Sequence, residues 1–154
     1  MKALLQRVTG ATVSVEGKVV GNIGHGLAVF IGVANGDTLA DIEYLTRKIV
    51  ELRIFDDAEG KFNLSILNVK GELLLVSQFT LLANTRKGRR PGFTYAAVPD
   101  IAEILFNQFV EQARATGLKV ETGRFQTRML VEINNDGPVT IFIDSRERLY
   151  SRSS

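Results

Sequence analysis

The sequence predicts a β-rich α+β fold in a single domain, a barrel-like sheet flanked by two main helices. Three observations lead there. Strand-like runs stand at both ends of the chain, two segments between them carry apolar residues at three- and four-residue steps, and no repeat, linker or low-complexity stretch separates them. With 154 residues and 45% hydrophobic content, the chain can bury one well-filled core without disulfide or metal staples. Residues 1–149 are assigned to this domain and 150–154 to a tail.

Residues 3–15 and 18–23 have apolar positions such as Val8, Val13 and Val15 set between polar ones, and Glu16-Gly17 separates the two runs as a hairpin turn would. Residues 27–33 are a denser apolar run, as expected of a strand buried on both faces, ending at Asn35-Gly36. Asp37 or Thr38 then caps a helix whose Leu39, Ile42, Leu45, Ile49 and Leu52 face one core. Asp56-Asp57 and Glu59-Gly60 form a turn, and Leu73-Leu74-Leu75-Val76 starts a buried strand that runs on through Ser77-Gln78-Phe79-Thr80-Leu81. Residues 84–92 read as a loop rich in glycine and arginine. Pro99-Asp100 with Glu103 has capping-box spacing, and Ile101, Leu105 and Phe109 mark the buried face of a second helix that stops at Gly117. Residues 129–133 and 139–143 are the last two strands, joined by a turn at Asn134-Asn135-Asp136-Gly137-Pro138.

Composition narrows the chemistry. There is no cysteine, which removes disulfides, thiolate nucleophiles and sulfur-bound zinc. The one histidine, His25, sits between two glycines in an expected turn, where a solvated ring is the ordinary outcome; a zinc site built on histidines lacks a second ligand. No metal or cofactor is expected. A serine triad lacks its G-x-S-x-G elbow, and neither a G-x-G-x-x-G nor a G-x-x-x-x-G-K-[ST] pattern supports a nucleotide fold. Arg7 interrupts the apolar run that a signal peptide requires, and no stretch approaches the ~20 apolar residues of a membrane span. A cytoplasmic protein without membrane contact is expected. Nineteen basic against seventeen acidic residues give a net charge of +2, so any grip on phosphate must be local.

Three segments remain that can carry chemistry. Ser77, Gln78 and Thr80 interrupt an apolar strand, and each must find a hydrogen-bond partner or cost about 1–3 kcal/mol if buried. They either satisfy neighbouring backbone or form a polar pocket at a strand end, suited to an ester carbonyl. Arg86, Lys87, Arg89 and Arg90 place four cations in five positions, as either a phosphate-gripping loop or a solvated one. Asn135 to Thr140 reads from its residues alone as an ordinary turn with a trans bond, since only about 5% of X-Pro bonds in folded proteins are cis.

Together these segments resemble the D-aminoacyl-tRNA deacylase family, also called D-tyrosyl-tRNA deacylase. The resemblance spans nearly the whole chain through Gln6-Arg7-Val8, Ser77-Gln78-Phe79-Thr80-Leu81, Gly92-Phe93 and Asn135-Asp136-Gly137-Pro138-Val139-Thr140. It implies a hydrolase acting on D-aminoacyl-tRNA and working as a homodimer, with Ser77, Gln78, Phe79 and Thr80 at the catalytic site. Gly137-Pro138, with a cis bond, would enter the partner's site and select for handedness, held by Arg7. Read without the family, Arg7 is an exposed residue on a strand face. Family analogy also makes Phe125, Gln126 and Met129 walls of a slot for the terminal adenosine, although Phe125 and Met129 are equally suited to a core. With Arg86, Lys87, Arg89 and Arg90, Phe125 and Met129 complete the expected tRNA contacts. The alternatives are a non-catalytic nucleic-acid-binding protein using the basic loop, and a small-molecule hydrolase of free esters or amides.

Overall fold

The computed structural model describes residues 1–150; of the expected tail, all but Tyr150 lies outside the described residues. The spine is β1 (Lys2–Val15), which turns at Glu16-Gly17 into β2 (Lys18–Ile23) and then β3 (Gly26–Gly32). Both turn residues have positive φ, 50° and 79°, as a tight hairpin of this hand requires. β1 pairs with β3 through its first half and with β2 through its second. β3 is buried along nearly its whole length, as its apolar density predicts.

α1 (Leu39–Glu51) and α3 (Pro99–Ala115) are the two main helices. Each connects parallel strands: α1 lies between β3 and β6 (Glu72–Ser77), and α3 between β6 and β7 (Val120–Thr122). Between α1 and β6 come the short hairpin of β4 (Phe55–Asp56) and β5 (Phe62–Leu64), then one helical turn, α2 (Ile66–Val69). The expected turn at Asp57 to Gly60 closes that hairpin, with the Gly60 N–H donating to the Asp57 carbonyl at 3.0 Å. β8 (Leu130–Asp144) runs antiparallel along the other edge of β1. The sheet curls until β2 meets β7: a Cβ on Gly21 would lie 2.7 Å from the Thr122 carbonyl oxygen. A barrel-like α+β domain is the result.

Two cores fill it. Ala3, Leu5, Val29 and Ile31 pack with Ile42, Leu45, Ile49, Phe106 and Phe109 between sheet and helices. Val8, Ala11, Val13, Ala28, Leu74 and Val76 pack inside the curl. Val8 and Ala11, three positions apart, both face inward there, so β1 changes the phase of its alternation across Thr9-Gly10. Among the described residues, no helix is long and apolar enough to cross a membrane.

Four local expectations are corrected. Thr38 caps α1 with the Asp41 carboxylate accepting from the Thr38 N–H at 2.8 Å, but Leu39 stands half exposed at the helix start rather than in the core. α3 has no capping box: Val98 is its N-cap and Pro99 opens its first turn, which needs no proton on that nitrogen. Ile101 is 52% exposed because the buried stripe runs through Phe106, Phe109, Val110 and Ala113, which leaves Ile101 on the opposite side of the first turn. The strand after Leu73 ends at Ser77, and Phe79–Leu82 coil into a 3-10 turn.

A fifth correction concerns the end of the chain. The segments at 129–133 and 139–143 are not two strands of a hairpin but halves of β8, both antiparallel to β1. From Gln6 to Val8 β1 advances two residues, while β8 runs back five, from Thr140 to Asn135. The surplus is extruded as a wide bulge carrying Asp136, Gly137 and Pro138.

Candidate active site

The Ile31 carbonyl accepts the Gln78 N–H at 2.8 Å, the last ladder bond before the chain turns at the end of β6. Ser77 and Gln78 are therefore half buried, while Phe79 and Thr80 swing outward, Phe79 being 57% exposed. All four line a cavity of about 700 Å³. Its other walls are Val33, Phe93 with Ala96 and Ala97, then Val98, Pro99 and Ala102 around the start of α3, and the loop bearing Phe125, Gln126, Thr127 and Met129. The structure thus brings together the polar strand end and the residues expected to hold an adenosine. It leaves Arg86, Lys87, Arg89 and Arg90 outside the lining, on an exposed loop closed by Asn84 and Gly92.

Among the described residues, none lining this cavity has an acidic or basic side chain. The Thr80 hydroxyl accepts a hydrogen bond from Gln78 Nε2 at 3.0 Å, so its protein partner is an amide and not a base. The Phe79 and Thr80 N–H groups precede the first bond of the 3-10 turn, which the Leu81 N–H donates to the Gln78 carbonyl. Phe79 and Phe93 meet edge to face at 4.9 Å. Across the cavity, Gln126 holds φ at 56°, Thr127 Oγ1 donates to the Arg124 carbonyl at 2.6 Å, and Met129 packs against Gly123.

A polar knot backs the wall at Val33, Ala96 and Ala97. The Ala97 N–H donates to the Val33 carbonyl and the Asn35 N–H to the Tyr95 carbonyl. Asp37 accepts from the Ala34 N–H at 2.6 Å and from the Met1 ammonium at 2.8 Å; the ammonium also donates to Ser145 Oγ, which donates to Asp41. Burial pushes the Asp37 carboxyl above its ordinary range despite the ammonium. Burial raises Asp41 too, but hydrogen bonds from Ser145 and the Thr38 N–H, with nearby cations, outweigh it and hold this carboxyl below the ordinary range.

Arg7 is buried, contrary to the exposed-strand reading. Its Nε donates to the Asp136 carbonyl at 3.0 Å and its Nη1 to the Ile54 carbonyl at 2.9 Å, with Asp56 at 3.4 Å. The Gly137-Pro138 bond is cis, and both residues are exposed. Asn135 staples the bulge from inside: its Oδ1 accepts the Val139 N–H at 2.8 Å, and its Nδ2 donates to the Val139 carbonyl and to Thr140 Oγ1. Neither the corner nor Arg7 is among the residues lining the cavity of the same chain. His25 is exposed, its ring edge-on to Phe55.

Sequence reading missed the staple role of Asn135, the contribution of Ile54 and Asp56, and the wall from Val33 through Ala102. An Asn ahead of a glycine-proline corner was the available signal for the first, because its side chain can bond backbone a few residues on. The Arg7 partners and the wall residues Val33, Ala96, Ala97, Val98, Pro99 and Ala102 depend on contacts between distant segments and had no local signal, whereas Ser77 to Thr80 and Phe93 within that span were named from the sequence.

A family model described as D-Tyr-tRNA(Tyr) deacylase matches residues 4–144. The D-aminoacyl-tRNA deacylase of Dehalococcoides mccartyi is 59% identical over 152 residues, covering 99% of both chains. That of Aquifex aeolicus is 57% identical over 147 residues, 96% of this chain and 99% of its own. Among solved structures, a c-Myc DNA Unwinding Element Binding Protein superposes with a TM-score of 0.89 at 42% identity, covering 94% of this chain and 98% of that one. A probable eukaryotic D-amino acid tRNA deacylase, at 19% identity and a TM-score of 0.80 over 92% of this chain and 97% of its own, shares the fold. With the family model matching most of its length and close relatives spanning it almost end to end, this chain belongs to the D-Tyr-tRNA(Tyr) deacylase family.

Proposed function

We propose that the protein hydrolyses the ester bond of D-aminoacyl-tRNA and of glycyl-tRNA, and that it works as a homodimer in which Gly137-Pro138 of one chain screens the cavity of the other. The observation carrying this reading is the uncharged cavity where Ser77 to Thr80 face Phe125 and Met129. An aminoacyl ester is already activated, so orienting it and stabilising the developing oxyanion can suffice. The Phe79 and Thr80 N–H groups are suited to that oxyanion, and water attacks, helped by the ribose 2′-hydroxyl. Thr80 is not the nucleophile in this reading, because among the described residues its hydroxyl is bonded to the Gln78 amide and not to a base. The adenosine lies between Phe125 and Met129, and the cations of residues 86–90 take the phosphates.

Selection by shape suits the task. Attractive contacts are worth about 1–3 kcal/mol per methylene, too little to spare the abundant L-aminoacyl-tRNAs, whereas a backbone wall excludes an L side chain whatever its chemistry. The exposed corner, anchored by Arg7 and Asn135, supports such a wall, and its absence from its own chain's cavity supports delivery across a dimer. Matched D- and L-tyrosyl-tRNA test the reading: release of D-tyrosine alone is expected, and equal release of both, or of neither, overturns it.

A second reading, non-catalytic nucleic-acid binding, is favoured by the exposed cationic loop and by the name of the 42%-identical neighbour. Binding to any DNA or RNA with a steep salt dependence and no ester cleavage would select it. Cleavage of a free D-amino-acid ester as fast as the tRNA ester would instead indicate a small-molecule hydrolase.

A further inference from the structure

The Arg7 side chain is 7% exposed, so its guanidinium must find acceptors within the protein. It finds them on two segments distant in sequence. One is the corner, through the Asp136 carbonyl, with Nη2 3.2 Å from where a Cβ on Gly137 would lie. The other is the β4–β5 region, which supplies the Ile54 carbonyl and the Asp56 carboxylate. That hairpin also supplies a lid: the Phe62 ring lies over the guanidinium, 5.5 Å from Cζ to ring centroid. Phe62 is itself 56% exposed, so core burial does not account for it.

We infer that the β4–β5 hairpin is the positioning element of the 136–138 corner, and that Phe62 is a positioning residue setting how strictly L-aminoacyl esters are rejected. This rests on the reading that the corner screens the substrate's handedness. The ring attracts the cation and packs against it, which holds the guanidinium in the orientation that aims its in-plane N–H groups at the Asp136 and Ile54 carbonyls. Without it the anchor loosens and the corner retreats, opening the space an L side chain would need. A D side chain points away from the corner and gains nothing.

The test is single-turnover cleavage of matched D- and L-tyrosyl-tRNA by the parent, Phe62→Ala and Phe62→Trp, with thermal melts alongside. For Phe62→Ala the L-to-D rate ratio is expected to rise about tenfold, as a small displacement of a positioning group allows, and Phe62→Trp restores it by returning a ring face. If Phe62→Ala does not fold, Asp56→Asn, which removes a carboxylate from the same guanidinium, is expected to raise the ratio in the same direction. An unchanged ratio, or a fall of both rates in proportion, overturns the inference while the proposed function stands. A parent that cleaves neither ester overturns both.

Discussion

At the scale of single residues, position 137 is the most exacting. Gly137 holds φ at +138°, a region that L side chains rarely adopt, and an added Cβ would lie 2.7 Å from Val139 Cγ2 and 3.0 Å from the Val139 nitrogen. Gly137→Ala must shift the corner. It is expected to lower stability by about 1–3 kcal/mol in denaturant melts and to reduce kcat/KM on D-tyrosyl-tRNA at least about tenfold. Parental values in both measurements would show that the corner bears no such demand. Thr80→Val makes the opposite prediction. It removes a hydroxyl that, among the described residues, is bonded to the Gln78 amide and not to a base, so most of the rate should survive, whereas a loss beyond about a hundredfold would make Thr80 a participant in the chemistry. The tie between Arg7 and the corner came from the family resemblance, since the residues alone left Arg7 on an exposed strand face; which carbonyls it holds was not legible, because they lie 47 and 129 positions away.

At the scale of elements, the bulge in β8 is the feature that sequence patterning described least well. Asn135-Asp136-Gly137-Pro138 has the turn chemistry of a hairpin loop, and that chemistry is the same in an extruded bulge. What separates the two is that both flanks pair with the same edge of β1, a long-range fact with no local signature. The end of β6 was misread for a related reason: an apolar run does not reveal where the ladder stops, and here it stops when Gln78 spends its N–H on Ile31. The hairpin of β1 and β2, the buried β3 and the span of α1 were all legible, because period and turn residues agreed. Asn135 is the element's internal fastener, so Asn135→Ala leaves the buried Val139 N–H without its acceptor. A loss of about 1–3 kcal/mol is expected, with L-tyrosyl-tRNA cleavage rising as the corner loosens. Asn135→Asp keeps the acceptor and should fall between the two; equal behaviour of parent and alanine variant would refute the staple.

At the scale of the whole molecule, the fold class was readable from the placement of strand and helix signals, and the complete cavity was not, because its walls come from four separate stretches of chain. Acid stability follows from the carboxylates. N–H groups of Lys61 and Glu59 hold Asp57 low, while Asp41 and Asp144 lie low because hydrogen bonds outweigh burial. A carboxyl lowered on folding stabilises the protein above its unfolded value of 3.8, and that contribution is lost as pH falls through the folded value. Asp37, raised by burial, works in the opposite sense, but three groups oppose one. The melting temperature should therefore hold from neutrality to about pH 5 and fall below about pH 4; a melting temperature that rises on acidification would contradict this. The proposed dimer requires a solution mass twice the chain's 17.0 kDa. Above all, a wall that excludes side chains by shape has nothing to exclude when there is no side chain. Glycyl-tRNA and L-alanyl-tRNA, which differ by one methyl group on the α-carbon, are the sharpest pair: the account predicts cleavage of the first and sparing of the second, and equal resistance of both would contradict it.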